Sequence, residues 1–183
     1  MSDIWSDAIR AHRDGDFQSA EQFYNQVLQM VKEGDDLEEQ AIVLDHMARL
    51  SLDKNDDHVA LRRFRKLLKI QETRGDNVEL SKIYRHISKI FDRKESIVEA
   101  IQYAEKALEV AEAVWNKQQR ALSYHLLGIM YQRAEMSVKS VSSLRMAQGI
   151  WEELHDSFGL YNTTMVLADV FEVQNEIASS IKE

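Results

Sequence analysis

The chain of 183 residues contains no cysteine and no proline, and its six glycines, Gly15, Gly34, Gly75, Gly128, Gly149 and Gly159, are all isolated. Without cysteine there can be no disulfide scaffold, thiol nucleophile or thiolate metal site. Without clustered glycine there is no phosphate-cradling loop. No stretch reaches the roughly 18 uninterrupted apolar residues of a membrane span. The opening MSDIWSDAIRAHRDGD lacks the basic-then-apolar pattern of a secretory leader, so a cytoplasmic location is expected. Basic residues are in deficit: 23 Lys and Arg face 31 Asp and Glu, a formal charge of −8. That sign opposes any global attraction to nucleic acid or anionic lipid, and neither is expected as a partner. What is abundant is Leu, Ile, Val and Met in every segment, and a 44% hydrophobic composition marks an ordered, core-forming chain.

The apolar residues repeat. In GDFQSAEQFYNQVL, Gly15 to Leu28, a small residue stands at Ala20, a ring at Tyr24 and apolar side chains at Val27 and Leu28. Stepping by forty from Ala20 gives Ala60, Ala100 and Ser140, and from Leu28 gives Leu68, Leu108 and one polar exception, Gln148. A second small-residue series runs Ala8, Ala48, Ser88, Gly128, Ala168, followed three residues on by Ala11, Ser51, Phe91, Tyr131 and Phe171. Around each small residue the apolar spacing is near 3.6, as in Leu44, Met47, Ala48 and Leu50, which predicts two helices per repeat. Small side chains let helix backbones approach where they cross, and a ring from the neighbour fills the space beside them. Such a pair cannot bury its apolar face alone and must stack on others.

Polar punctuation predicts turns at 14–16, 54–57, 92–96 and 134–137 within repeats, and at 33–36, 74–77 and 155–159 between them. No useful length alternates with period two, so no sheet is expected. Trp115 and Trp151 fall near the ends of second helices, where packing between repeats is expected of both.

These residues resemble the tetratricopeptide repeat family. GDFQSAEQFYNQVLQM is similar to the second half of such a repeat, and YHLLGIMYQRAEMSVKSVSSLRMAQGIWEELHD to a later copy. The usual period is 34 with a proline near its end. The period of 40 here, without proline, resembles the longer-helix variants of kinesin light chains, cell-polarity scaffolds and bacterial peptide-sensing regulators. The resemblance implies an all-α, right-handed superhelical solenoid of antiparallel helix pairs, with about nine to ten helices in a single array over residues 1–183. Repeats are expected at 1–37, 38–77, 78–117 and 118–157, with a capping helix or partial repeat at 158–183, its helix running from about Gly159 to Val173. The final NEIASSIKE is expected to supply only the first turns of a partner helix. If it leaves Val166, Leu167 and Val170 uncovered, self-association into a homodimer through that end is the expected remedy.

The resemblance also implies a concave groove lined by first-helix positions and a role in binding protein segments. Those positions read Trp5, Ile9, His12 and Arg13; Asp45, Arg49, Leu52 and Asp53; Arg85, Lys89, Asp92 and Arg93; His125, Ile129, Gln132 and Arg133; and Met165, Asp169, Glu172 and Val173. In the third repeat Lys82, Arg85, Lys89 and Arg93 share one helical face, with His86 beside them. Facing inward, these cations would hold an acidic segment or a terminal carboxylate by charge-assisted hydrogen bonds; facing outward, they are a solvated surface. Trp5 and Ile9 either anchor a partner side chain or close the end of the core. The Lys and Asn pair by which the chaperone-binding branch of the family holds a C-terminal carboxylate occurs in no repeat.

The basic run Leu61 to Lys69 divides its apolar and charged residues between two faces, as an outer helix does. Six histidines form no HExxH pattern and no set complete enough for a closed metal site, and no nucleophile elbow is present. The sequence therefore reads as a non-enzymatic, cofactor-free interaction scaffold that binds an acidic or amphipathic segment of another protein. A regulatory sensor for a small peptide or ligand is the alternative.

Overall fold

The computed structural model describes the backbone of residues 2–180 and the side chains of residues 3–174. Among these, nine α-helices and no strand occur: α1 Ser2–Arg13, α2 Phe17–Glu33, α3 Leu37–Asp53, α4 Asp57–Arg74, α5 Asn77–Arg93, α6 Ile97–Ala113, α7 Lys117–Arg133, α8 Ser137–Glu153 and α9 Ser157–Ser180. Two compact units divide after Gly75. In the first, α1 packs on α2, α2 on α3 and α3 on α4; in the second, each of α5 to α8 packs on its successor. There α5 also lies along α7, and α7 along α9, so first helices neighbour one another.

A clock of twenty residues, half the repeat, sets the turns. Gly15, Asp35, Asn55, Gly75, Glu95, Trp115, Glu135 and His155 all adopt positive φ. Each is followed by a helix N-cap residue: Asp16, Asp36, Asp56, Asp76, Ser96, Asn116, Met136 and Asp156. The left-handed residue ends one helix and the next residue starts another. Amides of Asp16, Asp56, Ser96, Met136 and Asp156 donate back to the carbonyls of Ala11, Ser51, Phe91, Tyr131 and Trp151 at 2.8–3.0 Å, closing the helix ends. The cap side chains of Asp16, Asp56, Asp76, Asn116 and Asp156 accept the amide three residues on, at 2.8–3.1 Å, and Asp36 accepts two amides.

The two small-residue series meet where paired helices cross. Ser88 Oγ donates to the Ala100 carbonyl at 2.7 Å, and Ser140 Oγ to the Gly128 carbonyl at 2.8 Å. Ala8, Ala20, Ala48 and Ala60 are fully buried at the equivalent positions. Four residues beyond Ala20, Ala60, Ala100 and Ser140 come Tyr24, Phe64, Ala104 and Leu144, all completely buried. The core of the first unit gathers Ala8, Ala20, Tyr24, Val27, Val31, Val43, Met47 and Leu50.

Three sequence expectations change. A further turn at 114–116 separates α6 from α7, and it places Trp115 in solvent, 81% exposed, rather than between repeats; Trp151 is buried as expected. The turn falls at the expected boundary between the third and fourth repeats, but no polar run marks it, since Val114 and Trp115 precede the cap. Residues 175–180 open no partner helix but continue α9 without a break, and 181–183 lie outside the described residues. Finally, Leu167 and Val170 are covered by α8, packed with Leu144, and Val166 packs against the same cluster, so the condition set for pairing through these residues is not met. Ala168, the fifth member of its series, is instead exposed.

Candidate functional site

The second unit assembles a cationic face from α5 and α7. Along α5 the 3.6-residue period places Lys82, Arg85, Lys89 and Arg93 on one side, because Leu80, Ile83, Ile87 and Ile90 take the core. The rise of 1.5 Å per residue spaces Arg85, Lys89 and Arg93 about 6 Å apart. Lys82 is neutralised by Glu79 on its own helix at 2.5 Å. Arg85 is half-buried, and its Nη1 donates to the neutral Ser81 Oγ at 3.0 Å. Burial pushes its guanidinium down to about 10, with Glu79 opposing the shift. Lys89 reaches water at the surface of this face, yet its ammonium is also pushed down, first by the surrounding protein and then by Arg85 and Arg93. Among the described residues no carboxylate pairs with Arg85 or Lys89.

From α7, His125 joins the face. Its Nδ1 lies 3.0 Å from Thr163 Oγ1 on α9, whose hydroxyl donates to the Gly159 carbonyl at 2.8 Å. With that proton committed, the Thr163 oxygen is left to accept, so His125 Nδ1 carries a hydrogen. Burial and the nearby Lys89 both lower the His125 pKa, which favours the neutral imidazole near pH 7. Arg133 binds Asp92 of α5 at 2.7 Å, tying α7 to α5, and Gln132 is half-buried beside it. Ser123 Oγ lies 3.4 Å from Ser81 Oγ beneath Arg85.

The remaining expected residues sit in the first unit. Arg49 is paired with Asp45 on its own helix at 2.8 Å. Trp5 stands edge-on to Tyr24 and His46, with centroids 5.7 and 4.9 Å away, so its indole packs into the unit. Ile9 lines a cavity of about 450 Å³ together with His12, Phe17, Tyr24, His46 and Asp53. Inside it runs a chain of polar groups. His12 Nε2 binds Asp53 Oδ2 at 2.8 Å, its Nδ1 lies 3.3 Å from Tyr24 Oη, and that oxygen lies 3.4 Å from His46 Nδ1. Burial raises the Tyr24 phenol to about 12 and, as the largest effect, lowers His46.

The structure thus brings Lys82, Arg85, Lys89, Arg93, His125, Gln132 and Arg133 into one unit, and Trp5, Ile9 and Arg49 into the other. Sequence reasoning missed Thr163, Ser81 and Ser123, small polar residues that spacing alone assigns to helix interiors. Their signal is weak, since a buried Ser or Thr is commonly satisfied by its own backbone.

No protein-family model matches the sequence, and no curated protein matches it. Solved structures do. BtubC from P. vanneervenii superposes with a TM-score of 0.83 at 22% identity, over 94% of this chain and 72% of its own. A signal-transduction ATPase with numerous domains and a tetratricopeptide repeat sensor, from Pyrococcus horikoshii, gives 0.82 at 17% identity over 91% of this chain and 26% of its own. A putative kinesin light chain with nearly identical tetratricopeptide-like repeats, from Podosopora anserina, gives 0.73 at 15% identity over 96% and 87%. At these identities the likeness establishes the fold alone: this is a tetratricopeptide-like, all-α repeat protein.

Proposed function

We propose that the protein is a protein-interaction scaffold whose second unit captures an acidic or amphipathic segment on the face of α5 and α7. One observation carries this reading. Arg85 and Lys89 stand one helical turn apart with no ion-pair partner among the described residues, and burial lowers the basicity of both, Glu79 offsetting only part of that at Arg85. A carboxylate-bearing ligand would supply what is missing, and Arg85 can bind it bidentately. The spacing suits it: side chains two apart in an extended strand lie about 6.7 Å from each other, and four apart in a helix about 6 Å. Lys82, Arg93, His125, Gln132 and Arg133 flank that row, while Trp5, Ile9 and Arg49 belong to a separate contact region of the first unit. In this reading the scaffold is a cytoplasmic binding module rather than an enzyme; no helix among the described residues is long and apolar enough to cross a membrane.

The test is a titration at low salt with a short amphipathic peptide built only of Leu and Glu. Arg85→Glu with Lys89→Glu is expected to weaken binding by about a hundredfold or more, since each desolvated charge contact is worth about 2–5 kcal/mol when reversed or removed. Helicity should stay unchanged. Equal affinity of the double variant and the parent would rule out this face. A second reading, a sensor of a small peptide or ligand, is favoured by the likeness to the sensor-bearing ATPase. It gains if one small ligand alone raises the melting temperature.

A further inference from the structure

The turn between α6 and α7 departs from its seven counterparts. At the left-handed position the others carry Gly, Asp, Asn, Glu or His, residues that are small or polar; here stands Trp115 at φ 54°. A bulky side chain in this region is strained. Its indole returns nothing to the fold, being 81% exposed. The strain is therefore sustained without any packing gain, and the exposed ring is the kind that anchors interfaces.

Trp115 is not isolated. Lys117 Nζ binds Glu153 Oε2 at 3.0 Å, which sets the α6–α7 turn beside the α8–α9 turn. The paired turns expose Val114 and Leu154, each 37% accessible, and Phe158, 76% accessible. The same two segments carry four carboxylates, Glu112, Glu152, Glu153 and Asp156, against Lys117, which is paired with Glu153, and His155. An exposed indole among carboxylates favours cations, through the ring face and the surrounding field together. Anionic lipid headgroups would be repelled by the same field.

We propose that this edge of the second unit is a docking surface for a basic, apolar segment of a partner protein, with Trp115 as its anchor and Phe158 as a flanking contact. It is built from the α6–α7 and α8–α9 turns rather than from the α5 face, and would take a ligand of opposite charge.

The experiment titrates the full chain with a short amidated amphipathic peptide built only of Leu and Arg, following tryptophan emission and heat. Saturable binding is expected, falling at least about tenfold for Trp115→Asn, a loss equal to one decade of affinity. Phe158→Ser should fall less. Neither change alters charge, so non-specific attraction to an acidic protein would survive both. Affinity for the Leu and Glu peptide should be untouched by Trp115→Asn, which separates this surface from the α5 face. Because Asn tolerates the left-handed conformation, the same variant should melt higher, by roughly 2–4 °C for a chain of this size. Unchanged affinity of Trp115→Asn for the Leu and Arg peptide, or no saturable binding by the parent, would overturn the proposal. So would a lower melting temperature of Trp115→Asn, or a blue shift with phosphatidylserine vesicles that Trp115→Asn abolishes.

Discussion

Replacing Gly128 by Ala should destabilise the second unit by about 2 kcal/mol, even though Ala is the better helix former by about 1 kcal/mol. A Cβ at this position would stand 2.4 Å from Leu144 Cγ and 2.6 Å from Leu144 Cδ2. Leu144 is completely buried and packs with Leu167 and Val170, so it has no free space to retreat into. Nor can the backbone drift, because the Gly128 carbonyl accepts the Ser140 hydroxyl at 2.8 Å. The melting temperature should fall by roughly 4–8 °C. Leu144→Ala alone should cost about 2–5 kcal/mol through its cavity, but in the double variant the new methyl fills part of that cavity. The double variant should then be at least about 1 kcal/mol more stable than the two single losses summed. Strict additivity would show that the two residues do not share one crossing.

Arg63→Met should cost about 2–3 kcal/mol in the first unit, for a different reason. Arg63 links three helices: from α4 its guanidinium pairs with Glu21 of α2 and donates to the Met47 carbonyl at 2.8 Å and Ser51 Oγ at 2.6 Å on α3. Only 13% of its side chain and 25% of that of Glu21 are exposed. Met keeps much of the stem volume, so the loss isolates the charge. Glu21 is left with Lys54 at 3.6 Å and limited access to water, which holds the cost below the 3–5 kcal/mol of a fully buried pair. Ser51 Oγ still donates to the Met47 carbonyl at 3.0 Å, so that acceptor is not orphaned. Adding Glu21→Met should recover much of the loss, since an apolar pair in this space has no stranded charge. Chemical denaturation of the three variants measures this; a double variant as unstable as the sum of the single ones would contradict it.

Much of the fold was legible because its rules are local. Asp16, Asp36, Asp56, Asp76 and Asp156 announce helix starts by residue type, and the small residues at 8, 48, 88 and 128 announce crossings by spacing. Trp115 shows where that reading stops: its turn is held by backbone bonds and the Asn116 cap, and the apolar pair before the cap masks it. The expected cation row on α5 was visible as a helical stripe. What turns a stripe into a site was not visible. Glu79 neutralises Lys82 and Asp45 neutralises Arg49, while Arg85 donates to a serine, and such differences arise from side-chain geometry after folding. His125 likewise gains its meaning from Thr163, 38 residues away.

Hydrogen exchange read by mass spectrometry on the full chain, with and without the Leu and Glu peptide, locates the bound segment directly. The account predicts slowed exchange over residues 82–93 of α5 and 125–133 of α7, lost in the Arg85→Glu, Lys89→Glu variant. Protection confined to the outer helices α6 and α8, or protection that survives the charge reversal, would contradict it.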